Sequence, residues 1–324
     1  MNFQSVSTAQ KLPAIQSSVI TGGYLADGNT PGPLLTGALK FVDSQLALLT
    51  AAIANNINNA STVIILTAKH GQSPKTPSAL LRIDEGAIET ALNAAWKVKK
   101  NVTPLVALTA SDDGLQFWLY DRSVAAVQFT KNFLMSYKGT GTTLNSPFTA
   151  AYNSSGLVAA YAGDEVCNLY NVKCPDGRVP DVVGISAYGV IYTGKAKKIA
   201  EHGGFNTDDR NVLLVVSGSS LPVGNAGTTI TSNVYTIQVA PTILTLLGLD
   251  PFRLAAVLIE KTQVLPISYS SVATATVNSP SVSSTSSPSV SSTKYVQTST
   301  AYAGKSFAAT LAGLSMTLSA FFFL

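Results

Sequence analysis

The sequence predicts an α/β domain, in which helices alternate with short buried strands. Helix candidates such as 33–56 carry apolar residues at three- and four-residue steps, and runs such as 63–66 are apolar and β-branched. Small and polar residues follow the run at 63–66 and stop the strand. Alternation of such helices and strands is typical of α/β domains, here with one hairpin-containing insertion.

The first predicted unit is a helix over 33–56 that leads into the strand at 63–66. This strand is a continuous apolar run, which suits burial on both faces of a parallel sheet. A second helix is expected over 83–98, because Asp84 and Glu85 are favourable in the first turn of a helix.

The next predicted feature is a hairpin. Asp-Gly at 113–114 separates apolar runs at 105–109 and 115–120, which is a hairpin signal. Asp112 and Asp113 could be metal ligands, but a solvated turn is the expected role. Further on we expect a helix over 124–137, a loose segment over 138–147, strands over 182–192 and 212–217, and an apolar helix over 235–247.

The two histidines are the first candidates for chemistry. His70 and His202 are the only histidines in the chain, and each is followed by glycine. Neutral imidazole suits zinc, and glycine lets the backbone approach an ion closely. Two His-Gly loops therefore suggest metal ligands; two ordinary loop histidines are the alternative.

Composition narrows the class of partner. Charged residues make up 12% of the chain, and the net charge of +4 has no basic cluster behind it. This argues against a nucleic-acid footprint. Cys167 and Cys174 could close a small loop in an oxidising compartment or remain thiols in the cytosol. Sequons begin at Asn59, Asn101 and Asn153, and they matter only in a secreted glycoprotein.

The C-terminal part predicts attachment to the extracellular face of the cell membrane or to the cell wall. Residues 268–305 are rich in Ser, Thr, Val and Pro, which indicates an extended stalk outside the domain at 1–267. Residues 306–324 form an apolar tail with no basic residue after it, as in a GPI-anchor signal. A transmembrane helix is the alternative.

The N-terminal segment conflicts with this tail. Residues 1–20 contain Lys11 and Pro13 and have no continuous apolar stretch, so they do not read as a secretory signal. A GPI signal requires entry to the secretory pathway. We therefore expect Met1 to be an internal methionine of a longer protein whose upstream part carries a signal peptide.

Three motifs carry a resemblance to a known family. They are Thr62-Val-Ile-Ile-Leu-Thr-Ala-Lys-His-Gly, then Glu201-His-Gly-Gly-Phe-Asn-Thr-Asp-Asp, and finally Val239-Ala-Pro-Thr-Ile-Leu-Thr-Leu-Leu-Gly-Leu-Asp-Pro. In this order they resemble the alkaline phosphatase superfamily, and within it the nucleotide pyrophosphatase/phosphodiesterase (type I phosphodiesterase) branch. The resemblance implies an α/β/α sandwich, incomplete at its N-terminus because the family's first strand and nucleophile loop would precede Met1.

The resemblance also implies a site. The family has a centre of usually two zinc ions and a Thr or Ser nucleophile; His70 and His202 correspond to ligands of different metals. Lys69 stands where the family has an aspartate ligand, and we expect its ammonium to contact phosphate directly in place of one metal. At most one zinc is then expected, through His202 and Asp27. The alternative for Lys69 is that its side chain points to the other face of the strand and leaves His70 free to bind a metal. The alternative for Asp27 is a structural role in a turn. Asn29 stands where the family has a histidine.

Two functions follow from these expectations. One is a metal-dependent hydrolase of small phosphate esters, of the phosphodiester or nucleotide pyrophosphate type, that lacks its nucleophile in this chain. Ser73 is the hydroxyl beside His70, but it follows the wrong strand and reads as a loop cap. The other is a non-catalytic surface glycoprotein that keeps the scaffold as a binding module. In both, a C-terminal lipid anchor holds the protein on the membrane.

Overall fold

A computed structural model describes residues 2–13, 22–55, 62–102, 104–144, 147–194, 198–218, 221, 227–267, 301–303 and 320–323. The helices in these residues are α1 (Gln4–Lys11), α2 (Pro33–Ala54), α3 (Glu85–Lys100), α4 (Val124–Ser136), α5 (Asp164–Leu169), α6 (Thr207–Arg210), α7 (Val239–Leu246) and α8 (Ala255–Glu260). The strands are β1 (Val63–Thr67), β2 (Leu81–Ile83), β3 (Val106–Ser111), β4 (Gly114–Leu119), β5 (Gly139–Thr143), β6 (Thr149–Tyr152), β7 (Leu157–Ala162), β8 (Val182–Ser186), β9 (Val190–Tyr192), β10 (Leu214–Gly218), β11 (Thr228–Ile230), β12 (Ala301–Ala303) and β13 (Ala320–Phe323).

The chain forms two compact units, and the class is mixed α/β as the sequence predicts. The first, called here the β1 unit, contains Met1–Phe3, Val42–Lys69 and Asn211–Leu324. The second, called here the histidine unit, contains Gln4–Phe41 and His70–Arg210. Both histidines lie in the second unit.

Helix α2 has the length and apolar composition that a membrane span would need. It is 22 residues long, but a helix in the core of a protein can have the same length and apolar composition. Its buried apolar positions include Leu35, Val42 and Leu46, which recur at seven- and four-residue steps. That spacing is typical of a helix that packs along one face.

The β1 unit contains a five-stranded sheet in the order β11-β12-β10-β1-β13. Strand β1 is buried at every position, as its apolar run predicts. The expected parallel sheet is wrong for this strand, because β1 pairs antiparallel with both β10 and β13. An apolar run reports burial on two faces, and burial alone does not fix the direction of the neighbouring strands.

Two short strands of this sheet fall in the predicted stalk and tail. Strand β12 runs parallel to β10 and antiparallel to β11, and β13 lies beside β1. The other residues of 268–324 lie outside the described part of the chain, so the stalk and the GPI signal stay predictions. The helix expected over 235–247 begins as a 3₁₀ turn at Thr236–Gln238 and continues as α7.

The histidine unit contains two four-stranded sheets, β6-β5-β2-β9 and β3-β4-β8-β7. Its largest core cluster includes Trp96 of α3 and Phe117 of β4, both at most 1% exposed. The side chain of Asp84 accepts the N–H of Gly86 and caps α3, which confirms the helix start that the acidic residues predict. The predicted hairpin is confirmed as β3 and β4.

Two predicted segments of this unit differ from the structure. Residues 138–147 are not simply loose, because β5 pairs with β2 and with β6. Glycine is needed there: a Cβ at Gly141 would lie 2.6 Å from the carbonyl oxygen of Arg82. The strand expected over 182–192 is divided into β8 and β9, because Gly189 turns the chain with a φ of 90°.

The cysteines form a disulfide. Cys167 of α5 and Cys174 are bonded, with their Cα atoms 5.8 Å apart. Of the two alternatives left by the sequence, the closed loop is therefore the one present. The bond packs against a small cluster that includes Val166, Val179 and Val183.

Candidate metal centre

The two His-Gly loops lie side by side within the histidine unit. The ring centroids of His70 and His202 are 3.9 Å apart, with their planes inclined by 32°. Three residues beyond His70, the N–H groups of Ser73 and Glu201 each donate to the carbonyl of the other at 2.9 Å. Backbone pairing between the two loops therefore brings together histidines that are 132 positions apart in the chain.

The residue after His70 must be glycine for this arrangement. A Cβ at Gly71 would lie 1.8 Å from the carbonyl oxygen of Asp208, so any side chain would separate the loops. The carbonyl of Gly71 lies 2.8 Å from Nδ1 of His70. Because a carbonyl only accepts, Nδ1 carries the proton, and the neutral ring has its lone pair on Nε2.

The tip of the β3–β4 hairpin joins the histidines. The N–H of Asp113 donates to the carbonyl of His202 at 3.4 Å, and the N–H of Tyr192 donates to the carbonyl of Asp112 at 2.8 Å. Asp112 is half-buried and Asp113 is only 1% exposed. The expected solvated turn is therefore wrong at Asp113, since tertiary packing covers the tip.

Three side chains place ligand atoms close together. The ligand atoms of Asp112, Glu201 and His202 lie within 4.8 Å of one another. Glu201 is 1% exposed and forms ion pairs with Lys11 at 2.8 Å and with Lys198. A carboxylate has about four lone-pair sites, so these two contacts leave capacity for a metal ion.

Burial and neighbouring charges shift the pKa values of Asp112 and Lys11 in opposite directions. Burial raises the pKa of Asp112, and the positive charges of Lys198 and Lys11 lower it in part, with a smaller contribution from His70. Burial also lowers the pKa of Lys11, while Asp112 and Asp113 oppose that change. The lysines thus favour the ionised form of Asp112, which is the form that binds a metal.

A second acidic pair lies next to this group. The carboxyl groups of Asp113 and Asp209 contact each other, and burial is the largest cause that raises the pKa of both. The residue between the two groups is Gly204. A Cβ there would lie 2.8 Å from Cβ of Asp113 and 3.0 Å from Oδ2 of Asp209.

Asp27 and Lys69, which the sequence also predicts for the site, are not members of this group of ligand atoms. Asp27 is in an exposed turn, where its carboxylate accepts the N–H groups of Asn29 and Thr30 at 3.0 and 2.8 Å. The hydroxyl and N–H of Thr30 lower the pKa of Asp27, with a smaller part from Asn29. These contacts are those of a residue in a turn, which was the alternative role for Asp27. Its ligation of a metal stays a prediction. Lys69 is exposed and belongs to the β1 unit, so its phosphate contact also stays a prediction.

The carboxylates and lysines of this centre are missing from the site that the sequence predicts. Glu201 could have been found, because it precedes the second His-Gly directly. The sequence offers Asp112 and Asp113 as possible ligands, but Asp-Gly at 113–114 favours a solvated turn. Asp209 ends the second quoted motif, although the motif assigns it no role, and Lys11 and Lys198 carry no local signal. Ser73 is buried, and its backbone pairs with that of Glu201 between the two loops, which agrees with the loop role expected for it.

Comparisons with protein-family models, with curated proteins and with solved structures give no match. The resemblance to the phosphodiesterase family therefore rests on the three sequence motifs. The described residues support a mixed α/β fold with a carboxylate–imidazole centre.

Proposed function

We propose that the chain is a metal-dependent hydrolase of phosphate esters, of the phosphodiester or nucleotide pyrophosphate type, on an alkaline phosphatase-like scaffold. The observation that carries the proposal is the meeting of the His70 and His202 loops with Asp112 and Glu201. The substrate class comes from the motif resemblance. The proposed location is the extracellular face of the cell membrane, with GPI anchoring, and the disulfide agrees with an oxidising compartment.

The donor atoms fit zinc. Imidazole nitrogen and carboxylate oxygen are common zinc ligands, and His202, Asp112 and Glu201 supply them at one place. His70 packs against the ring of His202 and restricts its orientation. A bound zinc ion would supply Lewis-acid chemistry: it polarises a phosphoryl oxygen and lowers the pKa of water.

The lysines suit an anionic substrate. The carboxylates of Asp112 and Glu201 are balanced by the ammonium groups of Lys11 and Lys198, so a divalent ion would make the group positive. A positive site attracts phosphate, and Lys198 is partly exposed and able to meet it. We assign no Thr or Ser nucleophile among the described residues, so the attacking group would be water whose pKa a bound ion lowers.

A non-catalytic binding module is the second candidate. The observation that favours it is the pair of lysines bonded to a carboxylate of the centre, together with the position of Lys69 in the first motif. Lys11 and Lys198 are bonded to Glu201, and Lys69 occupies the place of a family ligand. Such a protein would bind a phosphate ester without cleaving it.

A hydrolysis assay separates the two candidates. Metal-free protein is loaded with zinc and given bis(p-nitrophenyl) phosphate, beside the variants His202→Ala and Asp164→Asn. Asp164 is an exposed residue of α5 and serves as the control. We expect chelator-sensitive hydrolysis that falls by at least about 100-fold in His202→Ala and is unchanged in Asp164→Asn. Zinc-loaded wild-type protein that does not hydrolyse the diester would contradict the hydrolase and favour the binding module.

A further inference from the structure

The buried carboxyl pair next to the metal centre calls for a partner that the described part of the chain does not supply. The side chains of Asp113 and Asp209 are 1% and 3% exposed, and they approach from two different elements, the β3–β4 turn and α6. Among the described residues, none of their four carboxylate oxygens meets a hydrogen-bond donor. Buried polar atoms are nearly always paired, so four unpaired oxygens at one point are exceptional.

Within the described ranges, the groups next to this pair do not neutralise it. The backbone amides of Gly203 and Gly204 lie close enough to lower the pKa of Asp209, but they do not reach hydrogen-bond geometry. Lys11 influences Asp113 weakly and is bonded to Glu201. A proton shared between the two carboxyl groups would satisfy two oxygens and leave the other two unpaired.

We propose that Asp113 and Asp209 form a second cation site, built from oxygen alone and suited to a hard divalent ion of the calcium class. Two carboxylates carry the charge that one divalent ion balances. The pair offers no nitrogen or sulfur, which distinguishes it from the centre at His202. Calcium suits a buried site better than magnesium, because calcium accepts bidentate carboxylates in irregular geometry, whereas magnesium keeps several of its waters.

This ion would join two parts of the metal centre. Asp113 follows Asp112 directly, and its N–H donates to the carbonyl of His202. The carbonyl of Asp209 accepts the N–H of Gly71, which is the residue after His70. Calcium between the two carboxylates would therefore fix the hairpin tip against both His-Gly loops, whether or not the protein is a hydrolase.

Terbium luminescence tests the site in the full chain. Terbium replaces calcium at oxygen sites and emits when a nearby aromatic ring is excited. Tyr192 is such a ring: it is 2% exposed and its N–H donates to the carbonyl of Asp112. Burial raises the pKa of Tyr192, with smaller contributions from Tyr152 and from the charge of Asp113. We expect sensitised emission with one terbium per chain, displaced by calcium, and weaker emission at the same affinity in Tyr192→Phe.

Four variants complete the test. Asp209→Asn and Asp113→Asn keep the side-chain shape, and each should lower terbium affinity by at least about 10-fold. His202→Ala and the surface control Asp164→Asn should change it by less than about 2-fold. Absence of calcium binding by wild-type protein, measured by equilibrium dialysis, would overturn the proposal. So would unchanged affinity in whichever Asp→Asn variant folds, or loss of terbium binding in His202→Ala alone.

Discussion

At the scale of single residues, the centre depends on glycines as much as on its ligands. Gly71 and Gly204 lie where backbone segments come into contact, and a Cβ at either would meet another atom at 3.0 Å or less. Their small size allows the carboxylates and imidazoles to approach one another. The sequence shows that each histidine is followed by glycine. At position 71 glycine is required because its backbone lies against the carbonyl of Asp208.

Gly204→Ala tests this role. The new methyl group would lie 2.7 Å from the carbonyl oxygen of Asp113, and overpacking of this kind costs about 1–3 kcal/mol in the free energy of unfolding. Gly37→Ala in α2 is the matched control. Apart from its own helical turn, no atom of the described residues lies within 4 Å of the added Cβ, so we expect this change to stabilise the protein by up to about 1 kcal/mol. Urea unfolding measures both changes; equal stability of wild type and Gly204→Ala would contradict the close packing.

At the scale of elements, one aspartate ties strands of the histidine unit together. Asp181 accepts the N–H of Leu119 at 2.8 Å and Nε of Arg122 at 2.7 Å. Its own N–H donates to the carbonyl of Phe117, and its carbonyl accepts the N–H of Gly163. It thus connects the end of β4 with the start of β8 and the end of β7.

Removal of this side chain should weaken the whole unit. Asp181→Ala leaves the N–H of Leu119 without its acceptor, and a buried donor left in this way costs about 1–3 kcal/mol. The exposed Asp164→Ala should change the free energy of unfolding by less than about 0.5 kcal/mol. Thermal unfolding of the two variants compares them, and an equal melting temperature would show that Asp181 is not a structural tie.

The helices and the hairpin could be predicted because local signals define them. Asp84 caps α3, and Asp-Gly at 113–114 turns β3 into β4. The direction of the partners of β1 and the burial of Asp113 could not be predicted, because both depend on segments distant in the chain. The motifs identify His70 and His202 as candidate ligands, whereas the contact of Asp209 with Asp113 depends on the fold.

At the scale of the whole molecule, the C-terminal tail is the main open prediction. We expect a GPI signal to be removed, so that mature protein lacks 306–324 and the lipid holds it on the membrane. In the structure, residues 320–323 form β13 beside β1. Removal of the tail would take this strand away, whereas a retained tail would keep it.

Release by a phosphatidylinositol-specific phospholipase tests the anchor. Intact cells that make the protein are treated with the enzyme, and we expect the protein to appear in the medium. The peptide that contains Phe321, Phe322 and Phe323 should be absent from the released protein by mass spectrometry. Detection of that peptide in mature protein would instead indicate a retained segment and contradict GPI anchoring.

The measurement that tests the metal centre most directly is a zinc titration of metal-free protein against a chromophoric chelator. We predict one tight zinc per chain, an affinity lower by at least about 100-fold in His202→Ala, and no change in Asp164→Asn. Two tight zinc ions, both lost when His70→Ala and His202→Ala are combined, would show that Lys69 does not replace a metal. Wild-type protein that binds no zinc, or His202→Ala that binds it as tightly, would contradict the centre itself.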